Sequence, residues 1–382
     1  MSDEEAIDVE RFPLATRPTR REAIKGMAGA AIGMTAFGPN VFAQTASEDF
    51  SSIPLNAAKK YPAIPHWKTE LKQLAPNVYA YNQSLDIARP VEIANCGMIA
   101  GPNYMMAIDS MAWPLNVKAF IQASKQATGK DFGLLLNTHQ HGDHVLGNQY
   151  FAGIPILAHE HCREQVLKMR NSGRWVKTEG QADGTEMLVI TPPTLTMKDR
   201  VTYNLGDLRV EIMWVGRPAH TWGDVMVHLP EQRILFAGDV AFHYVTPVAQ
   251  SGHVSSWIET VDKILEMNDV DVIVPGHGLI GGKKELADMR DYYVTLRREA
   301  RKFYDKGVTP GRAAAEIDMG KYELWARSER AVTNVARLYA EFAGKIGPEG
   351  DPTVQRPATA EFLALRRMTP PNMQITTPVS RN

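Results

Sequence analysis

Three histidines and an aspartate crowd into Thr138-His139-Gln140-His141-Gly142-Asp143-His144. Neutral imidazoles and carboxylates are ligands for zinc, and they also suit iron or manganese. A loop leaving a strand can turn His139 and His141 towards one point while Asp143 and His144 face a second point close by. The bland alternative is a solvated, histidine-rich turn. Three later residues argue against it: His220 in GRPAHTWGD, Asp239 in ILFAGD and His277 in VIVPGHG. Each alone reads as a turn or core residue. All three, however, follow apolar, strand-like runs and lie near glycine, where the backbone turns sharply or approaches closely. Collecting ligands from the ends of several strands is how α/β scaffolds assemble sites. With only two cysteines in 382 residues, a disulfide framework or a Cys-rich zinc module is excluded, so any metal must be held by His and carboxylates.

Other residues carry weaker signals. Trp222 and Asp224 follow His220, and Trp222 is a candidate pocket wall or core residue. His243 and Tyr244 come just after Asp239, on an expected loop at the rim, as candidates for substrate binding or proton donation. His159 and His161 begin an expected helix and read as structural before they read as ligands. His253 and His66 have no partner pattern, and Trp175 is a candidate lid residue. Cys96 and Cys162 lack a neighbouring base and read as small buried residues, although a Cys96–Cys162 disulfide stays open.

These residues need elements to place them. LAPNVYAYN, VEIANCGMIAG and YMMAIDS read as three strands, and residues 115–128 as a helix ending at Gly129. A buried strand at 132–136 runs straight into the histidine cluster. Strand 154–159, helix 160–171 and an irregular insertion at 172–200 follow. Strands are expected at 201–205, 208–215, 224–229, 233–237 and 270–278, with a helix at 255–267. Two long amphipathic helices, 283–306 and 321–345, joined by a short helical piece, complete the pattern. The chain therefore divides into a leader (1–43), an extended arm (44–68), an α/β domain (69–282), a helical C-terminal extension (283–347) and a Pro-rich tail (348–382).

The ordered set HxHxDH, His, Asp, His resembles the metallo-β-lactamase superfamily over roughly residues 70–280. That resemblance implies an αββα four-layer sandwich. It also implies a first metal on His139, His141 and His220, a second on Asp143, His144 and His277, and Asp239 bridging both, with two zinc ions as the expected cofactors. Asp109 in MMAIDS matches the family's early aspartate, which supports a ligand histidine. Ser110-Met111 stands where Thr-Gly is common. Aspartate at the bridging position looks like the glyoxalase II and lactonase kind of hydrolase. The two helices ending in NVARLYAEF look like exported members of the superfamily.

The N-terminus reads as an address. Arg20-Arg21 precedes a mild apolar run, Gly26 to Gly38, and Val41-Phe42-Ala43 offers a cleavage site. This is the twin-arginine export pattern, and the run is too short and weak to span a bilayer. Loss of residues 1–43 leaves a formally neutral chain. A periplasmic location, a small-molecule substrate, engagement of the export machinery, no nucleic-acid partner and no stable membrane insertion are the expectations.

The leading reading is a zinc hydrolase in which a metal-bound hydroxide attacks an ester, lactone, thioester or amide, with Asp143 orienting it. The alternatives are a β-lactam hydrolase, a mononuclear iron persulfide-type dioxygenase and a non-catalytic accessory protein.

Overall fold

The structure is a computed structural model, and it describes residues 55–84, 94–173 and 188–366. The leader, the start of the arm, Trp175 and the last residues of the tail lie outside the described residues.

The arm is not wholly extended, because α1 (Leu55–Lys60) interrupts it. The first expected strand is a hairpin, β1 (Glu70–Ala75) and β2 (Val78–Asn82). Its turn places Asn77 at φ 64°, a conformation that asparagine tolerates. β3 (Cys96–Ala100) and β4 (Met105–Ile108) continue the antiparallel run. Helix α2 (Pro114–Thr128) then crosses to β5 (Phe132–Leu136), which pairs parallel with β4. Pro114 at its first turn and Gly129 at φ 69° bound α2 as the sequence requires.

After a one-turn helix, α3 (Gly142–Val145), come β6 (Ile156–His159) and α4 (Glu160–Asn171). The expected insertion contains a strand: β7 (Leu195–Met197) pairs parallel with β6 and becomes the edge of the first sheet. Only three residues long, it offers too short a pattern for periodicity to reveal.

The second sheet has the order β12-β11-β10-β9-β8. Its strands are β8 (Arg200–Leu205), β9 (Leu208–Trp214), β10 (Val225–Leu229), β11 (Ile234–His243) and β12 (Val272–Gly278). β11 and β12 are parallel, connected by α5 (Val254–Glu266). β11 runs six residues beyond the expected end at 237, so His243 is a strand residue and not part of a rim loop.

Period-two alternation sorts the side chains into layers. Ile99, Met106, Ile108, Leu134 and Leu136 of the first sheet meet Val210, Ile212, Val225, Val227 and Phe236 of the second in one buried cluster between the sheets. Met98, Ala100 and Met105 face the other way, onto Val117 and Phe120 of α2. The sheets approach closely enough that a Cβ on Gly97 would stand 2.6 Å from the Phe236 ring.

The outer face of the second sheet is covered by α5 and α6 (Lys283–Asp305), with α7 (Pro310–Glu316), α8 (Ala331–Phe342) and α9 (Pro352–Arg366) packed on them. This is the expected αββα order, with two adjustments. The boundary at 282/283 cuts through one hydrophobic cluster, since Leu286, Met289 and Tyr293 pack with Leu235 and Trp257. The Pro-rich tail contains a helix whose Ala358, Phe362 and Leu363 are buried in that same cluster. Cys96 and Cys162 are both buried and unpaired. Among the described residues no helix is long and apolar enough to cross a membrane.

Candidate metal centre

The seven sequence-derived ligands converge. His139 and His141 lie on the loop after β5, and Asp143 and His144 on α3. His220 lies in the β9–β10 turn, Asp239 in β11 and His277 in β12. Their side-chain donor atoms form two sets, His139, His141, His220 and Asp239 in one and Asp143, His144 and His277 in the other, with all atoms of a set within 4.8 Å of one another.

In the first set His141 Nδ1 is 3.1 Å from His139 Nε2 and 2.7 Å from His220 Nε2. Asp239 Oδ2 is 3.2 Å from His220 Nε2 and 3.7 Å from His139 Nε2. Tetrahedral zinc at the usual bond length separates its nitrogen ligands by about 3.3 Å, which these distances bracket. In the second set His277 Nε2 is 3.1 Å from Asp143 Oδ2, and His144 Nε2 is 3.7 Å from the same oxygen. Asp239 reaches this set too: Oδ1 is 3.0 Å from His144 Nε2 and Oδ2 is 3.4 Å from His277 Nε2.

The donors fit a metal on a second count. Asp143 Oδ2, His144 Nε2 and Asp239 Oδ1 are buried polar atoms whose near neighbours in the cluster complete no well-aligned hydrogen bond. Leaving such atoms orphaned costs free energy unless something else satisfies them, and these aim into one space. A cation answers all three at once.

Local sequence explains the aim. The β11–β12 register shifts on both sides of Gly238, which sits at φ 51°. The break takes Asp239 out of strand alternation. A Cβ on Gly276 would stand 1.8 Å from Asp239 Oδ1, so glycine there leaves the space that the carboxylate occupies. Gly278 has φ 98° and lies against the His243 carbonyl, which forces the turn after His277.

Supporting groups fix the rings. Asp109 accepts from Thr138 N at 2.7 Å, from Thr138 Oγ1 at 2.8 Å and from His144 Nδ1 at 2.8 Å. With Nδ1–H donated, His144 presents Nε2 to the centre, the arrangement that orients metal-bound imidazoles. Asp109 itself sits at φ 61°. Ser110 has its hydroxyl 2.8 Å from Asn148 Oδ1 and 3.0 Å from the His144 carbonyl, two acceptors that share its one proton.

Burial opposes charge throughout the cluster, and the outcome differs by neighbour. Burial and adjacent imidazoles hold His139 well below its ordinary value and bring His141 down to about 3. For His144 and His277 burial is outweighed by Asp239 and its fellow carboxylates, which push His144 well up and His277 to about 9. The same pairing overcomes burial at Asp143, held at about 2, and keeps Asp239 well below the carboxylate range. Without a cation the carboxylates favour protons on His144 and His277, which a metal would displace.

The softer candidates separate from this centre. His243 is buried, and its Nδ1 lies 2.8 Å from the Leu279 carbonyl. Burial brings its ring down to about 4. It is ladder-paired with Gly278, which holds the backbone past His277, and its Nε2 is buried without a hydrogen-bond partner. Tyr244 turns away at φ 62°, with its hydroxyl 3.4 Å from Glu285.

Trp222 is half-buried on the turn that carries His220, and its Nε1 is buried without a partner. Asp224 ties that turn by accepting from Thr221 N and Thr221 Oγ1 at 2.8 and 2.6 Å. His159 caps α4 and stacks on Trp214, His161 lies 3.7 Å from Glu164, and His253 caps α5. His66 is exposed.

Sequence reasoning missed a cross-sheet clamp. Asn82 Nδ2 donates to the Gly278 carbonyl at 2.8 Å, and Asn95 Nδ2 donates to the Pro275 and Gly278 carbonyls, both at 2.9 Å. Two first-sheet asparagines thereby hold the backbone on either side of His277. It also missed Ser251, whose hydroxyl lies 3.4 Å from His141 Nε2.

The fold and the His/Asp centre define a metallohydrolase-type scaffold. Residues 90–277, which carry all seven ligands, match the metallo-beta-lactamase superfamily, and the chain belongs to that superfamily. The acyl-coenzyme A thioesterase MBLAC2 of Homo sapiens is 28% identical over 181 residues, covering 42% of this chain and 62% of that protein. A hydroxyacylglutathione hydrolase of Brucella anthropi is 24% identical over 162 residues, covering 42% of this chain and 52% of that protein. Among solved structures, the inverting sec-alkylsulfatase Pisa1 from Pseudomonas sp. superposes with a TM-score of 0.54 at 20% identity, covering 72% of this chain and half of its own. That likeness shows the fold. The matched segment thus spans about half to three-fifths of these relatives.

Proposed function

We propose that the protein is an exported dizinc hydrolase that cleaves an acyl bond, with thioesters first in order, then esters, lactones and amides. One observation carries the reading: Asp239 stands within 3.0–3.7 Å of histidines from both ligand sets, as a bridging carboxylate must. The thioesterase and the hydroxyacylglutathione hydrolase among its relatives support acyl transfer to water and put thioesters first. A bound zinc pair supplies Lewis acidity, lowering the pKa of water from 15.7 towards about 7 and stabilising negative charge on the acyl oxygen. The chain's own residues do the rest. Asp239 holds the two positions together, and Asp143, whose Oδ2 lies 3.1 Å from His277 Nε2, is placed to orient a proton at the centre. The first-sheet clamp of Asn82 and Asn95 keeps His277 in place. The half-buried Trp222, with an indole N–H lacking a partner, is the candidate substrate contact.

The test is a panel of S-acyl thioesters, aryl esters, lactones and nitrocefin, run on zinc-loaded protein. At least one acyl substrate is expected to turn over, with activity falling about a thousandfold in His139→Ala and after chelation, and returning with zinc. Nitrocefin as the sole substrate would favour the β-lactam alternative. Oxygen uptake with a persulfide, carried by iron, would favour the dioxygenase. Acyl turnover that survives His139→Ala would refute the reading.

Export through the twin-arginine route is part of the same proposal, supported by Arg20-Arg21 and the apolar run that follows. Arg20→Lys with Arg21→Lys is expected to leave the protein in the cytoplasmic fraction, and unchanged periplasmic recovery would contradict it.

A further inference from the structure

The C-terminal helix α8 carries a buried polar face with no catalytic chemistry of its own. Asn334, Arg337 and Glu341 recur at three- and four-residue spacing, which puts them on one side of the helix, and Arg330 directly precedes them. All four hydrogen-bond to one segment, residues 246–255. Arg330 donates to the Thr246 carbonyl at 2.9 Å. Asn334 donates to the Pro247 carbonyl and accepts from Ala249 N, both at 2.8 Å. Arg337 Nε donates to the Gly252 carbonyl at 2.6 Å. Glu341 accepts from Val254 N, from Ser255 N at 3.2 Å and from Ser255 Oγ at 2.7 Å. Burying two arginines is costly unless their hydrogen bonds are met, and Arg337 completes its set on the Gly347 and Glu349 carbonyls while Asn334 also donates to the Tyr292 hydroxyl.

That segment touches two of the three histidines of the first ligand set. Ser251 Oγ lies 3.4 Å from His141 Nε2. His253 N donates to the Ala219 carbonyl at 2.9 Å. A Cβ on Gly252 would stand 2.6 Å from the Ala219 carbonyl and 3.1 Å from that of His220, so the loop lies directly against the His220 turn. A partner on one imidazole nitrogen sets the tautomer and the ring angle of the other. With Nε2–H given to Ser251, His141 turns a lone pair on Nδ1 towards His220 and Asp239.

We propose that the polar face of α8 is a positioning device for the first ligand set. Asn334, Arg337 and Glu341 hold the 246–255 segment, which in turn holds His141 through Ser251 and the His220 turn through Gly252 and His253. This rests on the reading of His139, His141 and His220 as metal ligands. It makes the C-terminal helix a working part of the metal centre, and Ser251, Asn334, Arg337 and Glu341 positioning residues within it.

The test is cobalt(II) titration of the full-length, metal-stripped protein, read by its d–d bands and by competition with a chromophoric chelator. Ser251→Ala and Asn334→Ala are each expected to weaken cobalt binding at the first position by about tenfold and to shift its bands. Ser251→Thr, which keeps the hydroxyl, restores both. The double variant falls no further than Asn334→Ala alone, because loosening the segment already removes the Ser251 contact. If Asn334→Ala does not fold, Glu341→Gln gives the same reading. A lower melting temperature with unchanged cobalt affinity and bands would reduce α8 to packing and overturn the proposal, as would additive losses in the double variant. Wild-type protein that binds no cobalt would overturn the metal-centre reading with it. Wild-type binding with insensitive variants would overturn the proposal alone.

Discussion

Asp239→Ala is expected to lower kcat/KM for the best acyl substrate by about a thousandfold or more, measured with zinc supplied in excess. Asp239 approaches histidines of both sets, at distances from 3.0 to 3.7 Å. Its removal therefore damages both positions, whereas loss of His220 damages one. The cavity left behind does not close readily. The main chain there is committed by the register shifts on both sides of Gly238, and Gly276 lies against the carboxylate. Asp239→Asn, of the same shape and without the charge, is expected to lose nearly as much. The carboxylate, not the volume, balances His144 and His277 and would bridge two cations. Activity in Asp239→Asn within tenfold of wild type would show that the bridge is dispensable.

Asp109→Ala is expected to weaken metal binding at the Asp143, His144 and His277 position by about ten- to a hundredfold and to lower the melting temperature as well. Three buried donors converge on this side chain, the Thr138 amide, the Thr138 hydroxyl and His144 Nδ1. Each buried donor left unpaired costs about 1–3 kcal/mol. Asp109→Asn separates the two effects. It keeps an acceptor for the Thr138 amide, so much of the stability remains, but it no longer offers a carboxylate to His144. Metal affinity should then stay low while the melting temperature recovers. Equal recovery of both would mean that Asp109 supports only the backbone. Chelator competition and thermal melts on the three proteins check this.

The site was legible in the sequence because its ligands are rare residue types at short spacing, each at the end of an apolar run. HxHxDH could be read within one loop, and Asp239 and His277 from the glycines beside them. The layer order was implied by the resemblance that the ligand motif carries, while strand-like runs and helical spacing placed the individual elements. What stayed hidden depends on contacts between distant parts of the chain. Asn82 and Asn95 hold backbone some 180 to 196 residues away, and an isolated asparagine carries no local mark of such a task. Ser251 and the polar face of α8 are equally silent, because a serine in a loop, and asparagine and arginine on an amphipathic helix, read as solvated.

His243 misled for another reason. A histidine four residues after a ligand looks like part of a rim when the strand is expected to stop at 237. β11 carries on because it is paired with β12 as far as Gly278. The helix Pro352–Arg366 was masked by its prolines, one of which, Pro357, lies inside it. Burial of Phe362 and Leu363 against the other C-terminal helices outweighs that local penalty.

Anomalous diffraction at the zinc edge, on crystals of zinc-loaded wild-type protein, tests the account most directly. Two peaks about 3.5–4 Å apart are predicted, one among His139, His141 and His220 and the other among Asp143, His144 and His277, with Asp239 between them. A single peak, or none within reach of Asp239, would contradict it.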